Sequence, residues 1–329
     1  MADDYSKIYA NFLEKIEDKI CKYIPNIEPK ELYQPFNYIM TVGGKRIRPV
    51  LAMICAGAVG GNPDSALSSG VAVEILHNFT LVHDDIMDES PMRRNHQTIH
   101  KKWNEPIAIL TGDVMVGYAY QLLPTQAENT NSDEIIKTFS NGLIEVCEGQ
   151  AFDMQFNERK DVSIDEYILM ITKKTARLLE TSAIIGGYCG NADSEQMQIL
   201  KNYSNAIGLA FQLQDDLLDL TAEEAELGKK IGQDIFEGKK TYMVLKALEL
   251  VQEENDKKLL NKFIMENGLD YSFVPAIKEL FNRIGVLEEV QNKIEFYFNI
   301  ALNEVEKIPK NLYRDMLIWL INKLNKRKF

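Results

Sequence analysis

Two segments of the chain, Asp84-Asp85-Ile86-Met87-Asp88 and Asp215-Asp216-Leu217-Leu218-Asp219, read DDxxD. On a helix, positions i and i+4 share a face and i+1 lies about 100° away. Each motif therefore gathers three carboxylates at one helix end. Carboxylates held this close repel one another unless positive charge sits among them. All-oxygen ligands suit hard cations such as Mg²⁺, which keeps waters and binds substrate phosphates. Cations recur beside both motifs. Lys45, Arg46 and Arg48 follow the glycine pair Gly43-Gly44, and Arg93-Arg94 follow the first motif by one loop. Lys173-Lys174-Thr175 falls inside a helical pattern, and Lys229, Lys230, Lys239 and Lys240 follow the second motif. Arg forks bind phosphate oxygens bidentately and Lys adds point charge. Carboxylates that hold metal ions, metals that hold a phosphate ester, and cations that hold the rest make one coherent set.

The elements that must position these groups read as helices. Ile8, Phe12, Ile16 and Ile20 recur at i, i+4 spacing, and Tyr167, Ile168, Ile171, Leu178 and Leu179 follow the same period. No proline stands between Pro124 and Pro275, which suits long helices. Helices are predicted over about 63–89, 131–157, 163–186 and 193–220, with Ser163 and Glu166 as a capping signature. Gly186-Gly187 and Gly190-Asn191 are read as breaks, and loops are expected at 41–45, 90–95, 157–162 and 223–240. Alternating strand patterns are missing. One all-α domain spanning residues 1–329 is the simplest architecture.

Composition bounds the partners. The chain has 329 residues, 37 Lys+Arg against 49 Asp+Glu, and a net charge of −12. That balance argues against nucleic acid, whose phosphates need a basic face. Taken alone it also argues against an anionic substrate, but bound metals reverse the local sign of an acidic site. The four cysteines, Cys21, Cys55, Cys147 and Cys189, form no CxxC motif and point to a reducing compartment. The first residues, MADDYSKIYANF, lack a signal-peptide pattern, and the longest apolar stretch, 50–59, falls short of the roughly 20 residues that span a bilayer. No transmembrane segment and a cytoplasmic location are expected.

The segments GGKRIRP (43–49), LVHDDIMDESPMRRN (81–95), FQLQDDLLDL (211–220) and GQDIFEGKKT (232–241) resemble the polyprenyl synthase family, the trans-isoprenyl diphosphate synthases, and in particular its archaeal-type short-chain members. The resemblance covers most of the chain. It implies an all-α bundle around a deep central cavity, a homodimer, and three Mg²⁺ per active site. The implied reaction joins isopentenyl diphosphate head-to-tail to an allylic diphosphate: dimethylallyl, geranyl or farnesyl. Asp84, Asp88 and Asp215 match metal-binding positions, with Asp85, Asp216 and Asp219 beside them. Arg93, Lys174, Lys229 and Lys239 match the allylic diphosphate clamp. Lys45, Arg48, His77 and Arg94 match the isopentenyl diphosphate site, and Thr175 and Gln212 match groups near the reacting carbons. Family members show one Lys at the turn where this chain has Lys229 and Lys230, so either can fill that place.

Phe79 stands five residues before Asp84, at the position that limits tail length in this family, with the small Thr80 beside it. With no insertion between the motif's aspartates, this implies geranylgeranyl diphosphate as product, with farnesyl diphosphate as an alternative. Phe79, Phe152, Phe156 and Phe211 are candidates to line an apolar cavity, since water would quench a cation. His77 lies two turns before Asp84 on one face. His96 and His100 stand at i, i+4 spacing, but two ligands without a third make a weak metal site. The basic end, 323–329, reads either as a frayed tail or as a flap over bound diphosphates. A class I terpene cyclase shares a DDxxD, but its second metal motif mixes Asn, Ser and Glu where this chain keeps DDLLD.

Overall fold

The computed structural model describes residues 2–125, 129–222 and 230–325. The expected all-α class holds, with one short exception among the described residues. Met92–Arg93 and His96–Gln97 form an antiparallel pair of two-residue strands, β1 and β2, where a loop was expected. Two residues are too few for alternation to show in a sequence. The turn between them, Arg94-Asn95, carries positive φ at both residues (50° and 62°), the geometry of a tight two-residue hairpin.

The chain divides into two compact units. The first comprises residues 1–144, 178–204 and 303–320; the second comprises 145–177, 205–302 and 321–329. In the first unit, α1 (Ala2–Tyr23), α2 (Lys30–Thr41), α3 (Ile47–Ala58) and α4 (Leu67–Met87) precede the hairpin, and α5 (Ile99–Lys102) and α6 (Glu105–Gln121) follow it. The i, i+4 stripe predicted on α1 is its buried edge: Phe12, Ile16 and Ile20 are all buried. Each such side chain contributes about 1.5–3 kcal/mol by leaving water. Helix α3 is buried from Pro49 to Ala58, and α4 over most of its length. Helix α3 carries Arg48 and α4 carries Asp84 and Asp85, so the core fixes the backbone of both.

The helices predicted in the centre are all present. Ser132–Glu158 is α7, Ile164–Ile171 is α8, Arg177–Cys189 is α9 and Ser194–Thr221 is α10. Ser163 and Glu166 form the predicted capping box, Ser163 accepting from the Glu166 N–H and Glu166 from the Ser163 N–H. Two readings need correction. Gly186 and Gly187 do not break α9, which runs to Cys189. A Cβ at Gly186 would come within 2.3 Å of the Ala52 carbonyl oxygen, so this glycine admits a neighbouring backbone. The 223–240 segment is also not all loop, because its described part contains a helical turn, Gln233–Phe236.

In the second unit, α8 is followed by a π-helical turn, Thr172–Ala176. Glycines on two other helices clamp it. A Cβ at Gly149 would lie 2.3 Å from Lys174 N, and one at Gly208 would lie 2.5 Å from Ala176 Cα. No helix among the described residues is long and apolar enough to cross a membrane.

Candidate active site

Helix α4 carries His77, Phe79, Thr80, Asp84 and Asp85, and Asp88 ends it. The three aspartates differ in setting: Asp84 is half-buried, Asp85 buried and Asp88 exposed. Arg93, on β1 just before the hairpin turn, pairs with the helix, its Nε 2.8 Å from Asp85 Oδ1. Burial raises the Asp85 pKa, while Arg93 opposes the rise.

The three cations after Gly43-Gly44 separate in the structure. Arg46 adopts φ 47° and turns inward, only 2% exposed, with Nη1 3.0 Å from Glu74 and Nε 2.8 Å from Glu17. It is a structural ion pair. Lys45 is exposed and Arg48 half-buried. Burial pulls the Arg48 pKa down to about 10, with Glu74 opposing and Arg94 adding to the fall. Its Nε is buried with no hydrogen-bond partner among the described residues. His77 is held well below the ordinary imidazole range by burial and then by Arg48, Arg94, Arg93 and Arg46. The guanidinium of Arg94 donates to the Gly43 carbonyl. The first unit thus gathers Arg48, Arg93 and Arg94 around His77, and their guanidinium charges press on one imidazole. An anion relieves that repulsion.

Phe79 is buried, and its ring packs edge-on against His83 at 4.7 Å. The hydroxyl of Thr80 donates to the His77 carbonyl at 2.8 Å. His96 lies on β2 and His100 on α5, so they share no helical face and the weak metal reading loses its geometric basis.

The second unit contains a cavity of about 240 Å³. Asp215, Asp216 and Asp219 line it from α10, with Asp153 from α7, Asp234, Lys174, Lys239 and Lys240. Phe156, Met170 and Ile171 supply an apolar wall. Of the four candidate phenylalanines only Phe156 is among the lining residues here. Phe152 stands behind it at 6.0 Å, Phe211 is half-buried elsewhere on α10, and Phe79 belongs to the first unit.

Lys174 Nζ lies 2.5 Å from Asp153 Oδ2, and Lys239 Nζ lies 2.7 Å from Glu237 and 3.6 Å from Asp234. Burial lowers the Lys239 pKa, but Asp234, Glu237 and Asp153 outweigh it and hold the ammonium charged. Asp219 accepts from the Asp234 N–H at 3.0 Å and its carbonyl accepts from Gly232 N at 2.8 Å. The last aspartate of the second motif therefore pins the segment that bears Asp234 and Lys239. Lys229 lies outside the described residues, as do 326–329 of the basic tail. Lys230 is exposed, with its ammonium 4.8 Å above the Tyr271 ring, and does not line the cavity.

Asp153, Tyr167 and Asp234 are cavity residues that sequence reasoning did not single out. Asp234 sits inside the quoted 232–241 segment, so a signal was available. Tyr167 read as one apolar position in a periodic stripe. An α-helix turns about 100° per residue, so Thr175, eight residues on, should lie about 80° around from it. The extra residue of the π turn brings Thr175 to within about 20° of the Tyr167 face.

The donor set is consistent with a hard divalent cation. Burial, Asp234 and Asp215 push the Asp216 pKa well above the usual carboxylate range, a strain that a cation relieves. Among the described residues no three His, Cys, Asp or Glu side chains converge to hold a metal unaided. That suits a metal that completes its shell with phosphate oxygens and water. Thr241 Oγ1, buried and without a hydrogen-bond partner among the described residues, also lines the cavity, ready for an oxygen-rich ligand.

Comparison with known proteins agrees in kind. The family profile Polyprenyl synthetase matches residues 29–280. The chain is 37% identical over 310 residues to the short chain isoprenyl diphosphate synthase of Methanothermobacter thermautotrophicus, covering 94% of each chain. It is 39% identical over 308 residues to the geranylgeranyl diphosphate synthase of Sulfolobus acidocaldarius, covering 88% of this chain and 93% of the relative. The crystal structure of geranylgeranyl pyrophosphate synthetase from Pyrococcus horikoshii Ot3 superimposes with a TM-score of 0.89 at 32% identity, over 99% of this chain and 100% of that one.

Proposed function

The chain belongs to the polyprenyl synthetase family and is a prenyltransferase; from that premise we propose that it elongates dimethylallyl, geranyl and farnesyl diphosphates with isopentenyl diphosphate to geranylgeranyl diphosphate. One observation carries the site assignment. Asp215, Asp216, Asp219 and Asp234 share a cavity with Lys174 and Lys239, which is what a diphosphate held partly by metal and partly by ammonium groups requires.

In the reaction the allylic C–O bond breaks, the isopentenyl double bond forms a new C–C bond to the allylic carbon, and one proton passes to the released diphosphate. Lys174 and Lys239 hold the leaving diphosphate and oppose its growing charge. Arg48, His77, Arg94 and Lys45 hold isopentenyl diphosphate, a role supported by the unpartnered Arg48 Nε and by the guanidinium groups around His77. The neutral imidazole of His77 is suited to donate one N–H to an anion. Phe156, Met170 and Ile171 keep water from the cation. In the first unit Asp84 and Asp88, and in the second unit Asp215, are the proposed holders of divalent metal, which the family uses, and we take it to be three Mg²⁺. Bound metal supplies positive charge against the leaving group.

We read residues 1–329 as one catalytic domain, because the family profile runs through residues of both units. A homodimer fits the exposure of the large apolar side chains Ile109 and Leu110 on α6. A cytoplasmic location fits four cysteines of which none forms a disulfide. Two relatives named for geranylgeranyl products support that chain length, with farnesyl diphosphate as a lesser product.

The test is incubation with Mg²⁺, labelled isopentenyl diphosphate and each allylic primer, followed by chromatography. Twenty-carbon product is expected in quantity. A cyclic hydrocarbon from a single allylic substrate would instead establish the cyclase reading, and no elongation would sink both.

A further inference from the structure

We propose that Tyr167 is a positioning residue for prenyl transfer: through Asp216 and Gln212 it fixes the direction of the Thr175 hydroxyl at the cavity wall. The proposal rests on the prenyltransferase reading above.

Four side chains form a continuous relay. Tyr167 is 2% exposed, so water does not satisfy its hydroxyl; it donates to Asp216 Oδ2. Gln212 Nε2 donates to the other oxygen, Asp216 Oδ1, at 2.8 Å. Thr175 Oγ1 lies 2.7 Å from Gln212 Oε1. Gln212 turns its NH₂ to Asp216 Oδ1, which accepts from it. Its carbonyl oxygen then faces Thr175, and Thr175 must be the donor.

The consequence lies on the cavity side. All four residues line the same cavity as Lys174 and Lys239. With its proton committed to Gln212, the Thr175 oxygen keeps its lone pairs for the cavity. Lone pairs turned towards the carbon from which a diphosphate departs stabilise the positive charge growing there. A hydroxyl proton turned the same way would oppose it. If the relay slackens, the amide is free to turn over and the hydroxyl loses its preference.

The register of the relay explains the π turn. Gln212 and Asp216 stand at i, i+4 on α10, one helical turn apart. They are met by Tyr167 and Thr175, eight residues apart on the facing stretch of chain. Eight residues of unbroken α-helix would rotate Thr175 away from that face, and the additional residue within Thr172–Ala176 restores it. Gly149 and Gly208 hold the turn by backbone contact, so the distortion is built into the packing.

Tyr167→Phe, Gln212→Leu and the double variant separate this role from a structural one or from direct substrate contact. Tyr167→Phe is expected to lower kcat about 10–100-fold, the size of effect seen when a supporting hydrogen bond is lost. KM for both substrates should stay within about threefold, since the lost interaction acts on the transition state. The double variant should be no slower than the slower single variant, because the two residues act as one unit. Wild-type kcat for Tyr167→Phe, a loss confined to KM, or losses that multiply in the double variant would each overturn the proposal while leaving the prenyltransferase reading intact. Absence of product from the wild-type protein would overturn both. Should Tyr167→Phe fail to fold, Thr175→Ser and Thr175→Val supply the comparison. Serine keeps the donor and should retain most of kcat, valine should lose it, and equal rates would end the proposal.

Discussion

Lys174 Nζ lies 2.5 Å from Asp153 Oδ2, so a cation facing the cavity is already held by a carboxylate before any anion arrives. Substrate diphosphate must compete for it or share it. Lys174→Ala removes the cation and leaves Asp153 to repel the leaving group. Steady-state kinetics with a varied allylic primer should show kcat/KM lower by about 100–1000-fold, the range for losing one charge-stabilising donor. A loss under threefold would remove Lys174 from the diphosphate site.

Metal dependence follows from the crowded carboxylates. Chelation by EDTA should abolish turnover, and Mg²⁺ should restore it. Asp215→Asn lowers the ligand charge and should raise the Mg²⁺ concentration for half-maximal rate at least about tenfold. An unchanged metal titration would place the metal elsewhere.

Phe79 is buried on α4 with its ring against His83. Phe79→Ala should shift the main product to longer chains on chromatography. Truncating a buried Phe costs about 3–5 kcal/mol, so Phe79→Leu serves as the milder control. An unchanged product length in both variants would remove Phe79 as the limit.

The depressed pKa of His77 has a definite sign for stability. The unfolded chain takes up a proton near pH 6.5, whereas the folded chain resists until well below that. The unfolded state therefore binds more protons below about pH 6.5, and stability falls as pH drops through that window. Urea unfolding between pH 5 and 8 should show this slope in the wild type. His77→Gln should lessen it by up to about 1.4 kcal/mol per pH unit. Identical slopes would contradict the assignment.

Arg46 ties α1 and α4 through Glu17 and Glu74. Arg46→Met strands the buried Glu74 carboxylate and should cost about 3–5 kcal/mol in denaturant unfolding. Adding Glu74→Leu should recover much of the loss, because an apolar pair of similar volume replaces the ions. No recovery would mean that the arginine acts through packing or its bond to the Met40 carbonyl.

The sequence by itself determined the helices and the acidic motifs. Apolar period and capping residues are local properties, and the bounds of α7 and α10 and the start of α8 follow them closely. The aspartates at 84–88 and 215–219 could be found because their spacing alone puts them on a shared helical edge. What only the tertiary structure decided is which neighbours share a task. Arg46 and Arg48 look alike in sequence, yet the positive φ of Arg46 sends it into a buried ion pair while Arg48 keeps an unpartnered nitrogen. Gly186 and Gly187 look like breaks, but Gly186 admits another backbone inside a continuous helix. Tyr167 looks like core, and becomes a polar partner of Asp216 only through a π turn that packing against Gly149 and Gly208 accommodates. Hydrogen-bond direction, burial and helix register depend on atoms far apart in sequence, and so they emerge only when the chain is folded.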